Sequence, residues 1–153
     1  MTSAVIVRAA AIVCLSAAPG KDLGRAVYVA RCSTCHRLEG EGTPGTAPPL
    51  RGMLGRYVVN GEGRDFLASI VVWGMIGPIE SGGKRYNAVM PPFATLDDES
   101  LAAVLRYVLT TLNGRSAAPP AFVPTAADIR ARRQTAGSAA AVRRMRLKLL
   151  EDG

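Results

Sequence analysis

Apolar residues recur at helical spacing in four stretches of the chain. Leu23, Val27 and Ala30 fall on one face of a segment running from Lys21 to Arg31. Phe66, Ile70 and Trp73 form a stripe in a second, from Asp65 to Trp73. The third has the best-marked ends. Thr95 and Asp98 fit the pattern of a hydroxyl residue followed three positions later by an acid, Leu101, Leu105, Val108 and Leu112 supply the buried stripe, and Asn113-Gly114 closes it. After Pro124 the same cap recurs as Thr125 and Asp128, with Ile129 the one large apolar residue inside. No run alternates apolar and polar residues as a half-buried strand would, so the pattern predicts an all-α chain. Between the second and third helices, Gly74 to Ala94 carries four glycines and three prolines. Such long stretches inside a domain tend to be functional, and this one reads as a ligand loop.

The two ends of the chain depart from this pattern. Arg8 precedes an apolar run from Ala9 to Ala18 that ends in small residues, the composition of an export signal. A helix spanning a bilayer needs about 20 apolar residues, more than this run offers. Residues 1–18 are therefore read as a signal peptide or, failing cleavage, a short N-terminal anchor; Pro19 disfavours cleavage directly after Ala18 and points to Ser16 or Ala17. The net charge of +7 is concentrated at the other end. Residues 21–114 hold ten basic and nine acidic side chains, residues 115–153 eight and three. The domain is thus 19–114, followed by a basic extension over 115–153. In it, Val142, Met145 and Leu149 share a helical face among Arg143, Arg144, Arg146 and Lys148. That segment reads either as a docking surface for an acidic protein or anionic membrane, or as a solvated tail. Nucleic-acid readers carry their charge on the folded domain and bring a reading motif; neither holds here.

Composition adds one puzzle. About half of the 153 residues are apolar, yet aromatics are scarce while Gly and Pro are plentiful, as if something other than side chains fills part of the core. Cys32-Ser33-Thr34-Cys35-His36 supplies the answer, because this spacing is the attachment signature of c-type haem. The thiols add to porphyrin vinyl groups, and the next side chain can reach the iron. A structural zinc site would need four Cys or His ligands, and the chain beyond the export segment offers three. A thiol-disulfide exchange motif would sit near a strand-helix-strand pattern and has no need of the histidine; a plain disulfide is the remaining alternative. His36 is the chain's single histidine. Two-histidine ligation within one chain is excluded, leaving the sixth iron position to methionine, to something weaker, or to nothing.

Residues 24–114 resemble the class I cytochrome c family in four stretches taken in order. Gly24 and Tyr28 precede Cys32 at the spacing Gly-x-x-x-Tyr-x-x-x-Cys; Pro48-Pro49-Leu50 follows the haem signature; Tyr86 to Phe93 is similar to the family's methionine-ligand loop; Leu101 to Tyr107 is similar to its C-terminal helix. The resemblance implies a class I cytochrome c fold, a few short helices wrapped round one covalently bound haem, with a C-terminal extension that is helical or disordered. It implies haem c on Cys32 and Cys35, iron ligands His36 and Met90, and a Pro48 carbonyl that orients the His36 ring. Leu50 and Tyr86 join the cofactor-binding set, as does Trp73 in the role of a propionate donor, its alternative being a core residue. Met53 and Met75 rival Met90 but suit core filling. Arg51 and Arg56 read as propionate partners or as solvated surface, and Gly24 and Tyr107 mark a close helix crossing.

By the same resemblance the function is electron transfer through a single His/Met haem, with no substrate bonds broken. The protein would be a periplasmic carrier, or the cytochrome subunit of a dehydrogenase or respiratory complex; small cytochrome c subunits of periplasmic dehydrogenases look most similar. Its partners would be redox proteins, a dehydrogenase, an oxidase or another cytochrome, and its location exported, periplasmic or membrane-associated. Two alternatives stay open: a five-coordinate haem sensor or peroxidase-like enzyme should Met90 dissociate, and a docking subunit centred on residues 115–153.

Overall fold

A computed structural model of the chain describes residues 19–114 and 119–151; the expected signal peptide or anchor at 1–18 lies outside them. Helix α1 (Pro19–Val27) runs on through a widened turn, Tyr28–Cys32, into α2 (Ser33–His36). In the widened turn the Ser33 N–H donates to the Tyr28 carbonyl five residues back, the π-type spacing often found at functional sites. The buried face of α1 is not the expected one. Leu23 is 39% exposed and Ala30 is exposed, whereas Gly24 and Tyr28 are buried. The reason is the partner, α4 (Asp98–Tyr107), whose backbone comes so near that a Cβ on Gly24 would lie 2.3 Å from the Ala103 carbonyl oxygen. Hydrophobic periodicity gives a glycine no weight, yet here it makes the contact. The Tyr28 and Tyr107 rings, 5.4 Å apart, complete the crossing that the family pattern implies.

Helix α4 begins later than its expected cap. Asp97, not Thr95, closes its N-terminus, accepting from the Ser100 N–H at 2.6 Å. Its stripe of Leu101 and Leu105 continues through Val108 and Leu112 in a second widened turn, and all four are buried. Helix α3 (Gly61–Trp73) starts five residues before the apolar stripe does, because Asn60 caps it by accepting from the Gly63 N–H at 2.9 Å. It buries Leu67, Ala68, Val71 and Val72 as well as Phe66, so it is central rather than edge-packed.

The stretch from Gly74 to Ala94 holds a hairpin. Strands β1 (Ile79–Ser81) and β2 (Lys84–Tyr86) pair antiparallel with Ile79 opposite Tyr86, both buried. This corrects the strand-free expectation; three residues are too few to display an alternation. The chain is otherwise helical, as expected.

Residues 119–151 form a single 3-10 turn, Pro120–Phe122, and two α-helices that pack into the domain's core. Helix α5 (Ala126–Gln134) carries the expected capping box at Thr125 and Asp128, and α6 (Ala139–Glu151) follows a break at Gly137-Ser138. Ile129 and Val142 join the core cluster of Phe66, Val72 and Leu101. Burial of each is worth about 1.5–3 kcal/mol. The basic side chains largely turn toward the chain's own surface. Arg133 donates to the Asp98 carboxylate at 2.7 Å and to the carbonyls of Ala94 and Leu96. Arg130 also reaches Asp98, Arg143 the Pro78 carbonyl and Lys148 the Glu62 carboxylate. Exposed ion pairs contribute little, so buried Ile129 and Val142 hold this region down. Among the described residues no helix is long and apolar enough to cross a membrane.

Candidate functional site

Helices α2, α3 and α6 and the loops between them enclose a cavity of about 1200 Å³, the solvent at its mouth included. Its walls are mainly apolar, with Leu50, Leu54, Phe66 and Val71 among them. Cys32, Cys35 and His36 line it, as do Pro48, Met53, Met75 and Met90.

The loop after α2 is tied back onto the haem signature. The Gly42 N–H donates to the His36 carbonyl at 3.0 Å, the Thr43 hydroxyl to the Cys35 carbonyl at 2.8 Å, and the Thr43 N–H to the Ala47 carbonyl at 2.8 Å. These bonds bring the Pro48 carbonyl oxygen to 2.9 Å from His36 Nδ1. Gly42 is required by this wrap: its φ is +76°, and a Cβ there would sit 2.5 Å from the Ala47 oxygen and 2.7 Å from the Pro48 carbonyl carbon. A carbonyl only accepts, so the neutral imidazole carries its proton on Nδ1 and keeps a lone pair at Nε2, for which no partner is found among the described residues. Burial holds the His36 pKa below its ordinary value, with the Pro48 bond opposing in part, which favours the neutral ring.

Directly after His36 the backbone turns sharply. Arg37 adopts φ +62°, a region sparsely populated by side-chain-bearing residues. It is held there by the Tyr28 hydroxyl donating to its carbonyl at 2.7 Å, by its own N–H on the Ser33 carbonyl at 2.7 Å, and by its Nε on the Gly42 carbonyl at 3.0 Å. Fully buried Tyr28 thus serves the site as well as the helix crossing. Cys32 and Cys35 are free thiols rather than a disulfide. Burial, then the neighbouring Cys35, pushes the Cys32 thiol up to about 11.

On the loop side, Met75 and Met90 exchange two backbone hydrogen bonds, of 3.0 and 2.9 Å. Gly74, at φ +68°, lets that loop come close, since a Cβ would lie 2.4 Å from the Met90 carbonyl oxygen. The Phe93 N–H donates to the Val71 carbonyl at 3.0 Å, and Arg133 grips the Ala94 and Leu96 carbonyls just beyond. Met75 is 8% exposed and belongs to the main core; Met90 is half-buried against it.

Of the residues singled out in the sequence, Cys32, Cys35, His36, Pro48, Leu50 and Met90 share the cavity. Trp73 and Tyr86 are not among its lining residues. The Trp73 indole lies against the Gly137 backbone, where a Cβ would be 2.3 Å from its Nε1, and Tyr86 packs in the core across from Ile79. Arg51 sits 3.9 Å from Glu39 on the surface, and Arg56 is exposed. The cations that do line the cavity are Arg31, which is exposed, and Arg146 of α6, which is buried. Nothing in the sequence separates it from the basic residues beside it.

Residues 22–112 match the family model for cytochrome c. Two proteins called cytochrome c-552, both from Thermus thermophilus, are each 41% identical to the chain over 87 residues. That stretch is 57% of this chain and 66% and 58% of theirs, so the chain spans less than two thirds of either relative.

Proposed function

The chain belongs to the cytochrome c family, and from that premise we propose that it carries one electron at a time through a single haem c whose iron is held between His36 and Met90. Covalently attached haem c is the family's cofactor. When bound it supplies one-electron iron chemistry. The rest falls to the chain. Cys32 and Cys35 take the thioether links, His36 offers the Nε2 lone pair, and the Pro48 carbonyl fixes the ring and raises its basicity.

The observation that carries the reading is His36 itself: a buried imidazole with Nδ1 bonded to Pro48 and Nε2 unclaimed, lining a cavity shared with two free thiols and Met90. Met90 is favoured over its rivals because its loop is clamped by Met75, Phe93 and Arg133 and stiffened by Pro91 and Pro92, as a weak thioether bond requires. With His36 and Met90 both bound to it, the iron would have no position left for oxygen or substrate, and the protein would serve as a carrier, or as a non-catalytic subunit of a dehydrogenase or respiratory complex. Its partners are redox proteins. The apolar run at residues 9–18 directs it out of the cytoplasm, to the periplasm.

Haem staining on a denaturing gel, intact mass and the visible spectrum test this reading. Stain should stay with the chain, and the spectrum of the reduced protein should ignore carbon monoxide. Haem extracted by acid acetone with both cysteines intact would defeat the covalent assignment. A carbon monoxide response would point instead to the five-coordinate sensor or peroxidase-like alternative.

A further inference from the structure

We infer that Arg146, contributed by the C-terminal helix α6, is the cationic partner of a haem propionate and raises the reduction potential; this rests on the haem reading above. Arg146 is 5% exposed. A guanidinium cannot lose its proton at accessible pH, so its burial leaves a full charge inside the domain. Such a charge is strongly unfavourable without an anion, and among the described residues no carboxylate is ion-paired with it. Its Nη2 donates to the backbone carbonyl of Glu80 in β1, while the Glu80 side chain faces solvent. That is one acceptor for five donors. The nitrogens left over are not sealed in, because Arg64 Nε is the one enclosed side-chain atom without a hydrogen-bond partner among the described residues. Arg146 lines the cavity, so its open donors have a cofactor-sized space to face.

Haem c carries anions of its own. Its vinyl groups are consumed at Cys32 and Cys35, leaving two propionates as the charged substituents. A planar guanidinium matches a carboxylate with two parallel N–H donors. The cation is also held in advance. Val142, one turn earlier on α6, is 1% exposed in the core, and Arg143 donates to the Pro78 carbonyl at 3.1 Å. Ser81, next to Glu80, lines the cavity too and offers a hydroxyl beside the same edge of the hairpin. A fixed positive charge near the macrocycle disfavours the oxidised, more positive state, which raises the potential.

The test compares full-length haem-loaded wild type with Arg146→Gln and Arg146→Lys by potentiometric titration. Arg146→Gln should lower the ferrous-to-ferric ratio at fixed ambient potential about tenfold, which is 59 mV for a one-electron couple, and Arg146→Lys should recover most of that loss. A bolt that only pins α6 to the hairpin would leave the potential unmoved, or would make the two variants behave alike; either result overturns the proposal. Should Arg146→Gln fail to fold, the wild type decides. Its propionate-bending bands in resonance Raman should differ from those of a haem c peptide in water, and bands at the solvated position overturn the proposal. A wild-type chain that carries no haem sinks the functional reading and this proposal with it, whereas a haem-bearing chain with the wrong potentials sinks the proposal alone.

Discussion

The Pro48 carbonyl oxygen stands 2.9 Å from His36 Nδ1 although twelve residues separate the two in the chain. That oxygen is set by backbone bonds from Gly42 and Thr43, by the Thr43 hydroxyl on the Cys35 carbonyl and the Arg37 Nε on the Gly42 carbonyl, and by the absence of a side chain at Gly42. The orientation of the imidazole is therefore a property of a loop rather than of the helix that bears it.

Gly42→Ala should accordingly destabilise the haem-loaded protein by about 1–3 kcal/mol, the usual cost of a side chain held in a sparsely populated backbone region. Chemical denaturation measures it. Unchanged stability would mean that the loop finds another path round the Ala47 and Pro48 carbonyls.

Three methionines line the cavity, and they should separate cleanly. Met90→Ala should abolish the sulfur-to-iron charge-transfer band of the oxidised protein and lower its potential. Met53→Ala and Met75→Ala should keep the band, although Met75→Ala should cost about 2–5 kcal/mol as a core truncation. A band that survives Met90→Ala moves the ligand to one of the others.

Helices α5 and α6 make the C-terminal region testable as part of the core. Ile129→Ala, at a site with no solvent exposure, should cost about 2–5 kcal/mol, while Arg144→Ala on the exposed face should stay within about 0.5 kcal/mol. Removing residues 137–153 should lower both the melting temperature and the potential. Equal and negligible effects of both substitutions would return the region to the status of an appendage.

The start of α4 should carry an acid dependence. The Ser100 backbone N–H and hydroxyl hold the Asp97 carboxyl below the usual carboxylate range. Because the folded value is depressed, this contribution to stability is present above the unfolded value of about 3.9 and is lost as pH falls through the lower folded value. Asp97→Asn keeps an acceptor that does not titrate. The stability difference between wild type and Asp97→Asn should thus shrink in acid, and a difference constant from neutrality downward would remove Asp97 from the account.

What the sequence made legible was the chemistry that lies within a few consecutive residues: the Cys32 to His36 signature, the Pro48 and Met90 loops, and the capping box at Thr125 and Asp128. It also exposed the stripe of Leu101, Leu105, Val108 and Leu112, all four of which are buried. Apolar spacing alone misjudged α1, whose contact at Gly24 only the family resemblance implied, and α3, whose burial extends well beyond one face. The hairpin at Ile79 and Tyr86 escaped because three-residue strands have no period to detect. Arg146 escaped for a different reason. The cavity wall is assembled from segments far apart in the chain, and a basic residue in a basic run looks solvated until the strand it meets is known.

The paired backbone bonds between Met75 and Met90 fasten the two ends of the segment they bracket. Whatever happens to chain length between those ends is felt weakly at the ends themselves, since doubling a flexible loop costs only about 0.6 kcal/mol in closure entropy. Most of the segment is committed: Glu80 holds Arg146, Ile79 and Tyr86 fill the core, and Val89 lines the cavity. The hairpin tip, Gly82-Gly83, is exposed and has no such duty. It is the position at which this domain can accept inserted residues, a label or a grafted recognition peptide while the methionine loop keeps its register.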